Sequence, residues 1–385
     1  MKRRKSAVVF LAAALVCVCT WAQELALVAR DPDGHGVLWR LGAKRVLAVG
    51  GTPEQMGRAH GRLLAEWVPE VMPRTMALVG AGYAVQKGDW FHDRIEEIYR
   101  RSGPHTPERF LRECRAMAAA AGITERDAIS GNFFPELFHC SGVAVRNTAS
   151  ADGRVVHARV LDYMRDINLQ KYTVLQVFVP EGGHPWMSVG YAGFLGTVTA
   201  MNVRGLAIGE MGGKGEGDWD GMPMTFLMRE IAERAATVEE AVAIIRKTPR
   251  TCEYYYVISD AKREMVGIYA TPEKVEVLLP GQQDPRLPEV PQDTVLVSAE
   301  GRARALSERV RQHFGKITPE VMIEIIKRPV AMKSNLHNAV FVPETLDMWF
   351  SDAGKTTPAC DEPYTKVNLR ALLDAFDAAR KSPAP

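Results

Sequence analysis

The sequence lacks a strong excess of charge of either sign and has few cysteines for its length. Its 385 residues carry 48 Lys and Arg against 46 Asp and Glu, a net charge of +2, and six Cys. Nucleic-acid binders usually show a basic excess, so this balance argues against that class. With 46% hydrophobic and 24% charged residues the composition is that of a globular protein, not of a disordered chain or a disulfide scaffold. A small neutral or amphipathic substrate fits this composition best.

Long hydrophobic runs are also absent beyond the N-terminus, where residues 1–22 have the features of a secretory signal. Lys2 to Lys5 form a basic start, an apolar run follows up to Val18, and Ala22 precedes polar Gln23. A membrane anchor is disfavoured because the apolar run is shorter than the roughly 20 residues that span a bilayer. We therefore expect cleavage after Ala22, export to the periplasm or medium, and no stable membrane span.

Common catalytic signatures are missing as well. Trp186 stands where a GxSxG elbow before Ser188 needs its first Gly, and there is no HExxH motif. The glycine-rich stretch 212–217 lacks the surroundings of a P-loop, so it predicts a flexible loop or, alternatively, a lid. Cys252, beside the tyrosine run 254–256, fits a packed strand better than a metal site. No cofactor and no metal ion are predicted.

The predicted secondary structure changes at Cys140. Residues 36–50 read as extended, Thr52 and Pro53 predict a helix start, and the sequence up to about residue 138 is rich in helix formers. After Cys140, short β-branched segments alternate with Asp-Gly, Gly-Gly and Arg-Gly turns, and helices return in separate blocks. This order predicts one α+β layered domain, with a helical leader at 23–139 and a catalytic part at 140–385.

Cys140 is the candidate nucleophile. A lone cysteine in an exported protein is by default half of a disulfide or a small buried hydrophobe. Here, however, a strand and its return strand follow, and the return strand would bring Arg159 and Asp162 back towards Cys140. A cation there would favour the thiolate, and a carboxylate could hold an amine or orient the cation. The competing interpretation of Arg159 and Asp162 is an ordinary ion pair with each other.

Four segments carry a resemblance to a known family. They are the run Gly51–Gly57 followed by His60 and Gly61, the stretch His157–Asp162, the stretch Met201–Leu206, and the run Ser334–Asn338. In this order they resemble the penicillin acyltransferase-like proteins, which are N-terminal nucleophile (Ntn) cysteine hydrolases related to choloylglycine hydrolase and acid ceramidase. The resemblance implies a four-layer αββα sandwich of two antiparallel sheets, and self-cleavage before Cys140 into a leader and a catalytic chain that remain associated.

The resemblance also implies site residues. Asn202 would supply an oxyanion donor through its backbone amide, although without the resemblance it reads as a turn residue. The family's second donor, an Asn near a later strand, is missing around 294–298, so Asn335 or Asn338 is the candidate substitute. Val160 replaces the usual Asn between Arg159 and Asp162. His337 is expected to be structural rather than a base or ligand.

Two functions follow from the sequence. The first is an exported, self-processing amidohydrolase or acyltransferase that acts on a small N-acyl compound through a Cys140 thioester. After cleavage the free α-amine of Cys140, with a pKa near 7.7–8.0, can take the thiol proton, so no histidine is required. The alternative is an exported, non-catalytic binding protein of the same fold with Cys140 structural. A papain-like protease is disfavoured because no Cys-Gly-Ser-Cys-Trp context is present.

Overall fold

The computed structural model describes residues 24–88, 90–133, 140–163 and 165–381. The expected signal peptide, residues 1–22, lies outside the described residues. So does the segment 134–139, which includes His139 and leads to Cys140.

The leader combines strands with helices. Its elements are β1 (Leu25–Arg30), β2 (Gly36–Leu41), β3 (Lys44–Gly51), α1 (Pro53–Leu63), α2 (Val68–Lys87), α3 (Phe91–Ser102), α4 (Glu108–Ala121) and α5 (Glu125–Phe133). The predicted start of α1 is confirmed: the Thr52 hydroxyl accepts a hydrogen bond from the Gln55 backbone N–H, and the Gln55 side chain accepts one from the Thr52 N–H. The extended segment 36–50 is confirmed as β2 and β3, whereas β1 was not predicted.

The part after Cys140 contains most of the strands. Its elements are β4 (Ser141–Asn147), β5 (Gly153–Asp162), β6 (Thr173–Pro180), β7 (Trp186–Tyr191), β8 (Thr199–Asn202), β9 (Ala207–Gly212), α6 (Met224–Arg234), α7 (Val238–Lys247), β10 (Tyr254–Ser259), β11 (Met265–Ala270), β12 (Val275–Leu278), β13 (Thr294–Ser298), α8 (Glu300–Gln312), α9 (Pro319–Ile326), β14 (Asn335–Val342), β15 (Asp347–Asp352), β16 (Thr365–Asn368) and α10 (Leu369–Lys381).

These strands form two sheets. The ten-stranded sheet has the order β1-β2-β3-β6-β7-β8-β9-β10-β11-β12, and the six-stranded sheet has the order β13-β4-β5-β14-β15-β16. Neighbouring strands in the described part of the chain pair antiparallel, with the exception of β3 and β6, which pair parallel. The predicted pair of antiparallel sheets is therefore confirmed, with one parallel junction where the leader joins the catalytic part.

The two sheets pack face to face between two layers of helices. A Cβ added to Gly142 of β4 would lie 2.8 Å from the Val257 side chain of β10, and one added to Gly209 of β9 would lie 2.4 Å from the Arg159 side chain of β5. Helices α6 and α7 cover the outer face of the ten-stranded sheet, and α8 and α9 cover that of the six-stranded sheet. The α+β, four-layer αββα sandwich is confirmed.

The leader is integral to this sandwich. β1–β3 form one edge of the ten-stranded sheet, and α1 packs on β2 and β3 and against α4. Arg229 of α6 is buried against the leader, where its guanidinium donates to the Glu113 carboxylate at 2.6 Å and lies 4.7 Å from the centre of the Phe110 ring. The leader is thus not only helical, because it also completes a sheet of the catalytic part.

Candidate active site

Cys140 lies directly before β4, at the edge of the layer between the two sheets. Its side chain is 3% exposed and belongs to the same apolar cluster as Leu161. The pairing of β4 with β5 sets Ser141 opposite Val160 and Gly142 opposite Arg159, so the next position along this register places Cys140 beside Leu161. The hairpin therefore brings Arg159 and Asp162 to strand positions next to Cys140.

Arg159 faces the ten-stranded sheet and pairs with a glutamate that the sequence did not single out. Its side chain is fully buried, with Nε donating to the Glu210 carbonyl at 3.1 Å and Nη2 to the Glu210 carboxylate at 3.3 Å. The interpretation of Arg159 and Asp162 as an ion pair with each other is wrong. Residues three apart on a strand point to opposite faces, so Arg159 and Asp162 lie on opposite sides of the six-stranded sheet.

Asp162 faces the helical layer and is held by Arg302 of α8. Its carboxylate pairs with Arg302 Nη1 and accepts a second hydrogen bond, 2.9 Å long, from the Met332 backbone N–H. Burial raises the pKa of Asp162, and the charge of Arg302 opposes that rise. The charge of Arg302 is the largest of the effects that favour the ionised carboxylate, and the Met332 hydrogen bond and the charge of Arg159 act in the same direction.

Arg302 also binds the backbone of the candidate nucleophile. Its Nη2 donates to the carbonyl oxygen of Cys140 at 2.9 Å. One guanidinium thus holds both the Asp162 carboxylate and the peptide bond between Cys140 and Ser141. No local pattern points to Arg302, because it lies in α8, well over a hundred residues from either partner along the chain.

In this structure the amides of Asn202 are engaged within the fold, and its role as an oxyanion donor stays a prediction. Its backbone N–H already donates to the Leu206 carbonyl at 2.9 Å, and its side-chain amide donates to the carbonyls of Ala232 and Ala235. Its side-chain oxygen accepts from the backbone of Arg204 and Leu206. The alternative interpretation of Asn202 as a turn residue fits these bonds, which lock the β8–β9 turn against α6.

Asn335 and Asn338 are also engaged within the fold, and a role as the second donor stays a prediction for either of them. The Asn335 amide donates to the Leu161 carbonyl and to the Asn338 side chain, both at 2.9 Å, and its oxygen accepts from the Cys360 backbone N–H at 2.8 Å. The Asn338 amide donates to Asn335 and to the Tyr364 hydroxyl. These amides fasten the start of β14 to the end of β5.

His337 is a buried, neutral residue, as expected from the sequence. Its ring nitrogens lie 2.8 Å from the Tyr191 hydroxyl and 2.8 Å from the Thr199 hydroxyl. Burial lowers the pKa of His337 well below its usual value, and the positive charge of Arg159 lowers it further. His337 therefore does not act as a base with a pKa near neutrality.

The other cysteines are poor candidates for a nucleophile. Burial raises the pKa of Cys252 to about 12 and that of Cys360 to about 11, and it raises the pKa of Cys114 further still. The thiolate is the reactive form, so these three thiols are inert. No disulfide bond joins any two of the four described cysteines.

An apolar cavity adjoins the strand that carries Asp162. The space that it offers to water-sized molecules is about 80 Å³, so it is a narrow cavity. The catalytic part contributes Leu161, Tyr163 and Tyr191 to its wall, and the leader contributes residues of α2 and α5. None of its lining residues is charged. Cys140 is not a lining residue, but Leu161 connects the cavity to it through the β4–β5 register.

Neither a metal site nor a membrane helix emerges from the described residues. No group of three or more His, Cys, Asp or Glu side chains in these ranges is arranged to hold a metal ion. Over the same residues, no helix is both long and apolar enough to cross a bilayer.

Parts of the sequence are similar to known proteins. A family model described as acyl-coenzyme A:6-aminopenicillanic acid acyl-transferase matches residues 150–282, a stretch that begins after Cys140 and includes Arg159, Asp162 and Asn202. Protein dcd1B of Dictyostelium discoideum is 25% identical over 365 residues, which cover 86% of this chain and 72% of that protein. The N-acylethanolamine-hydrolyzing acid amidase of Rattus norvegicus is 25% identical over 207 residues, 50% of this chain and 56% of that enzyme.

A solved structure overlaps in part. The Caenorhabditis elegans ortholog of N-acylethanolamine-hydrolyzing acid amidase covers 53% of this chain and 93% of its own, with 19% identity and a TM-score of 0.44.

The family model and the sequence relatives confirm the resemblance to the Ntn hydrolases, and those relatives are named for amide hydrolysis or acyl transfer. Within that class, the matching model is that of the penicillin acyltransferase-like family.

Proposed function

We propose that this protein is an exported, self-processing amidohydrolase or acyltransferase that uses Cys140 as its nucleophile. The observation that carries the proposal is the position of Cys140 at the start of β4, with its carbonyl held by Arg302 and with Arg159 on the neighbouring strand. The relatives that hydrolyse N-acyl amides support the same chemistry. The basic and apolar pattern of residues 1–22 supports export.

Self-cleavage would begin with an acyl shift. The Cys140 sulfur attacks the carbonyl carbon of His139, the C–N bond between the two residues breaks, and a thioester forms as the nitrogen becomes the free α-amine of Cys140. Water then hydrolyses the thioester, which leaves a carboxylate on His139 and returns the proton to sulfur. Arg302 can hold the Cys140 backbone both before and after cleavage, because it binds the carbonyl oxygen of Cys140 and not the nitrogen at which the chain is cut.

Turnover would repeat the attack on an external amide. The α-amine of Cys140 titrates near 7.7–8.0 and can accept the thiol proton, which it then passes to the departing amine of the substrate. The acyl group remains on sulfur as a thioester until water or a second amine takes it. The positive charge of Arg159 supports the thiolate, and Glu210 holds that guanidinium in position.

Self-cleavage can be tested on a denaturing gel with purified protein. We expect wild-type protein to give two fragments, 23–139 and 140–385, and Cys140→Ala to remain uncut. Cys114→Ala removes a buried thiol elsewhere and should be cut like wild type. N-terminal sequencing should read Cys140 on the larger fragment and Gln23 on the smaller one.

The binding-protein alternative predicts the opposite. A wild-type chain that stays in one piece, or a Cys140→Ala chain that is cut as well as wild type, would rule out Cys140 as the self-processing nucleophile. A start at Met1 would rule out removal of the signal.

A further inference from the structure

Met72 of the leader forms part of the wall of the apolar cavity beside the candidate nucleophile. Met72 is 5% exposed on α2, and its neighbours Val71, Thr75 and Met76 line the same cavity. The side chain packs against two glycines of other elements. A Cβ on Gly131 of α5 would lie 2.7 Å from the Met72 sulfur, and one on Gly193, which follows β7, would lie 2.8 Å from its Cγ.

The two glycines determine where the Met72 side chain can lie. Both contacts are shorter than any real Cβ contact, so a side chain at either glycine would push the methionine away from that backbone. Methionine is unbranched and adaptable, and it fills irregular gaps between packed elements. The volume of the cavity at this wall is therefore set by how deeply Met72 sits over Gly131 and Gly193.

The opposite wall leads towards the nucleophile. Leu161 and Tyr163 line the cavity from β5, and the β4–β5 register places Leu161 beside Cys140. Asp162 points away from the cavity, to Arg302 in the helical layer, whereas Arg159 lies on the same face of β5 as Leu161 and its charge is paired with that of Glu210. An acyl group whose carbonyl carbon is at Cys140 would thus extend along Leu161 into uncharged surroundings.

We propose that Met72 of the leader sets the length of the acyl chain that this cavity accepts. The inference rests on the proposed function, because it assumes an acyl group attached to Cys140. It assigns a specificity-determining residue to the leader.

The test compares Met72→Ala with Met56→Ala. Met56 is a buried methionine of the leader that does not line the cavity, so it controls for lost packing. The first readout is kcat/KM of the processed enzyme for N-acyl substrates of graded chain length. The second is binding of free carboxylic acids of graded length to uncut Cys140→Ala protein with and without each substitution, which requires no turnover.

Met72→Ala should shift both length profiles to longer chains. Each further methylene buried in the enlarged cavity should raise affinity roughly fourfold, the equivalent of about 0.8 kcal/mol. Gly131→Ala should displace Met72 into the cavity and shift the profiles to shorter chains. Met56→Ala should leave the length profile unchanged.

The outcomes separate the two proposals. Turnover with a length profile that Met72→Ala leaves unchanged, or that Met56→Ala shifts equally, overturns the assignment of Met72. Binding of acids with a length profile that depends on Met72, but without hydrolysis or transfer of any N-acyl substrate, overturns the proposed function and leaves the assignment of the cavity.

Discussion

At the scale of single residues, the helical layer contacts the candidate nucleophile through a hydrogen bond to the carbonyl oxygen of Cys140. Arg302 donates to that oxygen and to Asp162 with two nitrogens of the same planar group. A guanidinium can hold two acceptors at fixed angles, which a lysine cannot. Asp162 is therefore best described as the residue that orients Arg302 rather than as a direct partner of the thiol.

Arg302→Met should slow self-cleavage and turnover by tenfold to a hundredfold. The loss of hydrogen bonds to a charged group costs about 1.5–3 kcal/mol, and each 1.4 kcal/mol corresponds to about tenfold in rate. The pKa of Asp162 should rise further, because the charge of Arg302 is the largest effect that opposes burial. The acid limb of the pH–rate profile should consequently move to higher pH.

Arg311→Met on the same helix is the control for Arg302. Arg311 pairs with Glu289 at the protein surface rather than with a residue of the candidate site. Equal slowing by both substitutions, or an acid limb that does not move in Arg302→Met, would contradict the positioning role.

The sequence could predict the hairpin but not the partners of its side chains. Cys140, Arg159 and Asp162 come together through a local strand-turn-strand pattern, which period and turn composition reveal. Glu210 and Arg302 reach the site from another sheet and from a distant helix, and no local pattern encodes such contacts. A turn residue and an oxyanion donor can both be Asn, so residue type alone does not separate the two interpretations of Asn202.

At the scale of elements, the closest contact between helices is that of α1 with α4. A Cβ on Gly61 would lie 2.5 Å from the Met117 carbonyl oxygen, so the two backbones touch without an intervening side chain. The pattern of Gly57 and Gly61, one helical turn apart, therefore has a packing reason. The same two residues lie in the leader segment on which the family resemblance was recognised.

Gly61→Ala should destabilise the protein by about 1–3 kcal/mol, the usual cost of overpacking. Gly82→Ala is the matched control: it lies in α2 with nothing within 4 Å of the added Cβ and should stabilise by up to about 1 kcal/mol. Urea unfolding in the uncut Cys140→Ala background measures both as changes of a single chain. A neutral Gly61→Ala would show that α1 and α4 can separate at little cost.

Element boundaries show where sequence periodicity is insufficient. The sequence up to about residue 138 is rich in helix formers, yet the structure has β1 at Leu25–Arg30, which the sequence pattern does not predict. Strand preference depends on packing against neighbouring strands, which a single segment does not contain. The start of α1 was predictable because the capping bonds of Thr52 and Gln55 are local.

At the scale of the whole molecule, buried titratable groups couple stability to pH. Burial lowers the pKa of His157 and of His60 to about 3, and the charge of Arg229 contributes at His60. Burial raises the pKa of Glu113 to about 7. Below pH 6.5 these histidines bind a proton in the unfolded chain but not in the folded one. Each histidine therefore lowers the free energy of unfolding as pH falls. Glu113 acts in the opposite direction between pH 7 and 4.5, because its folded form binds the extra proton.

His157→Gln should make the protein less sensitive to acid. Between pH 6.5 and 5.0 the wild-type histidine removes about 2 kcal/mol of stability, at about 1.4 kcal/mol per pH unit, and the variant should not lose this amount. Glu113→Gln should lose more stability than wild type over the same range. Urea unfolding of Cys140→Ala protein at the two pH values tests both, and parallel losses in all three proteins would contradict neutral burial of His157.

The parallel pairing of β3 with β6 affects whether the cleaved protein can refold. In one continuous chain these strands meet at the high effective concentration that a covalent connection provides, which reaches the millimolar range for short linkers. After the proposed cut, a leader that has unfolded and dissociated can rebind only as a separate chain. Until it does, β6 is an unpaired edge strand that can pair with strands of other chains. The processed protein would then be assembled only once. Its lifetime would be governed by the rate at which the leader detaches rather than by an equilibrium to which it could return.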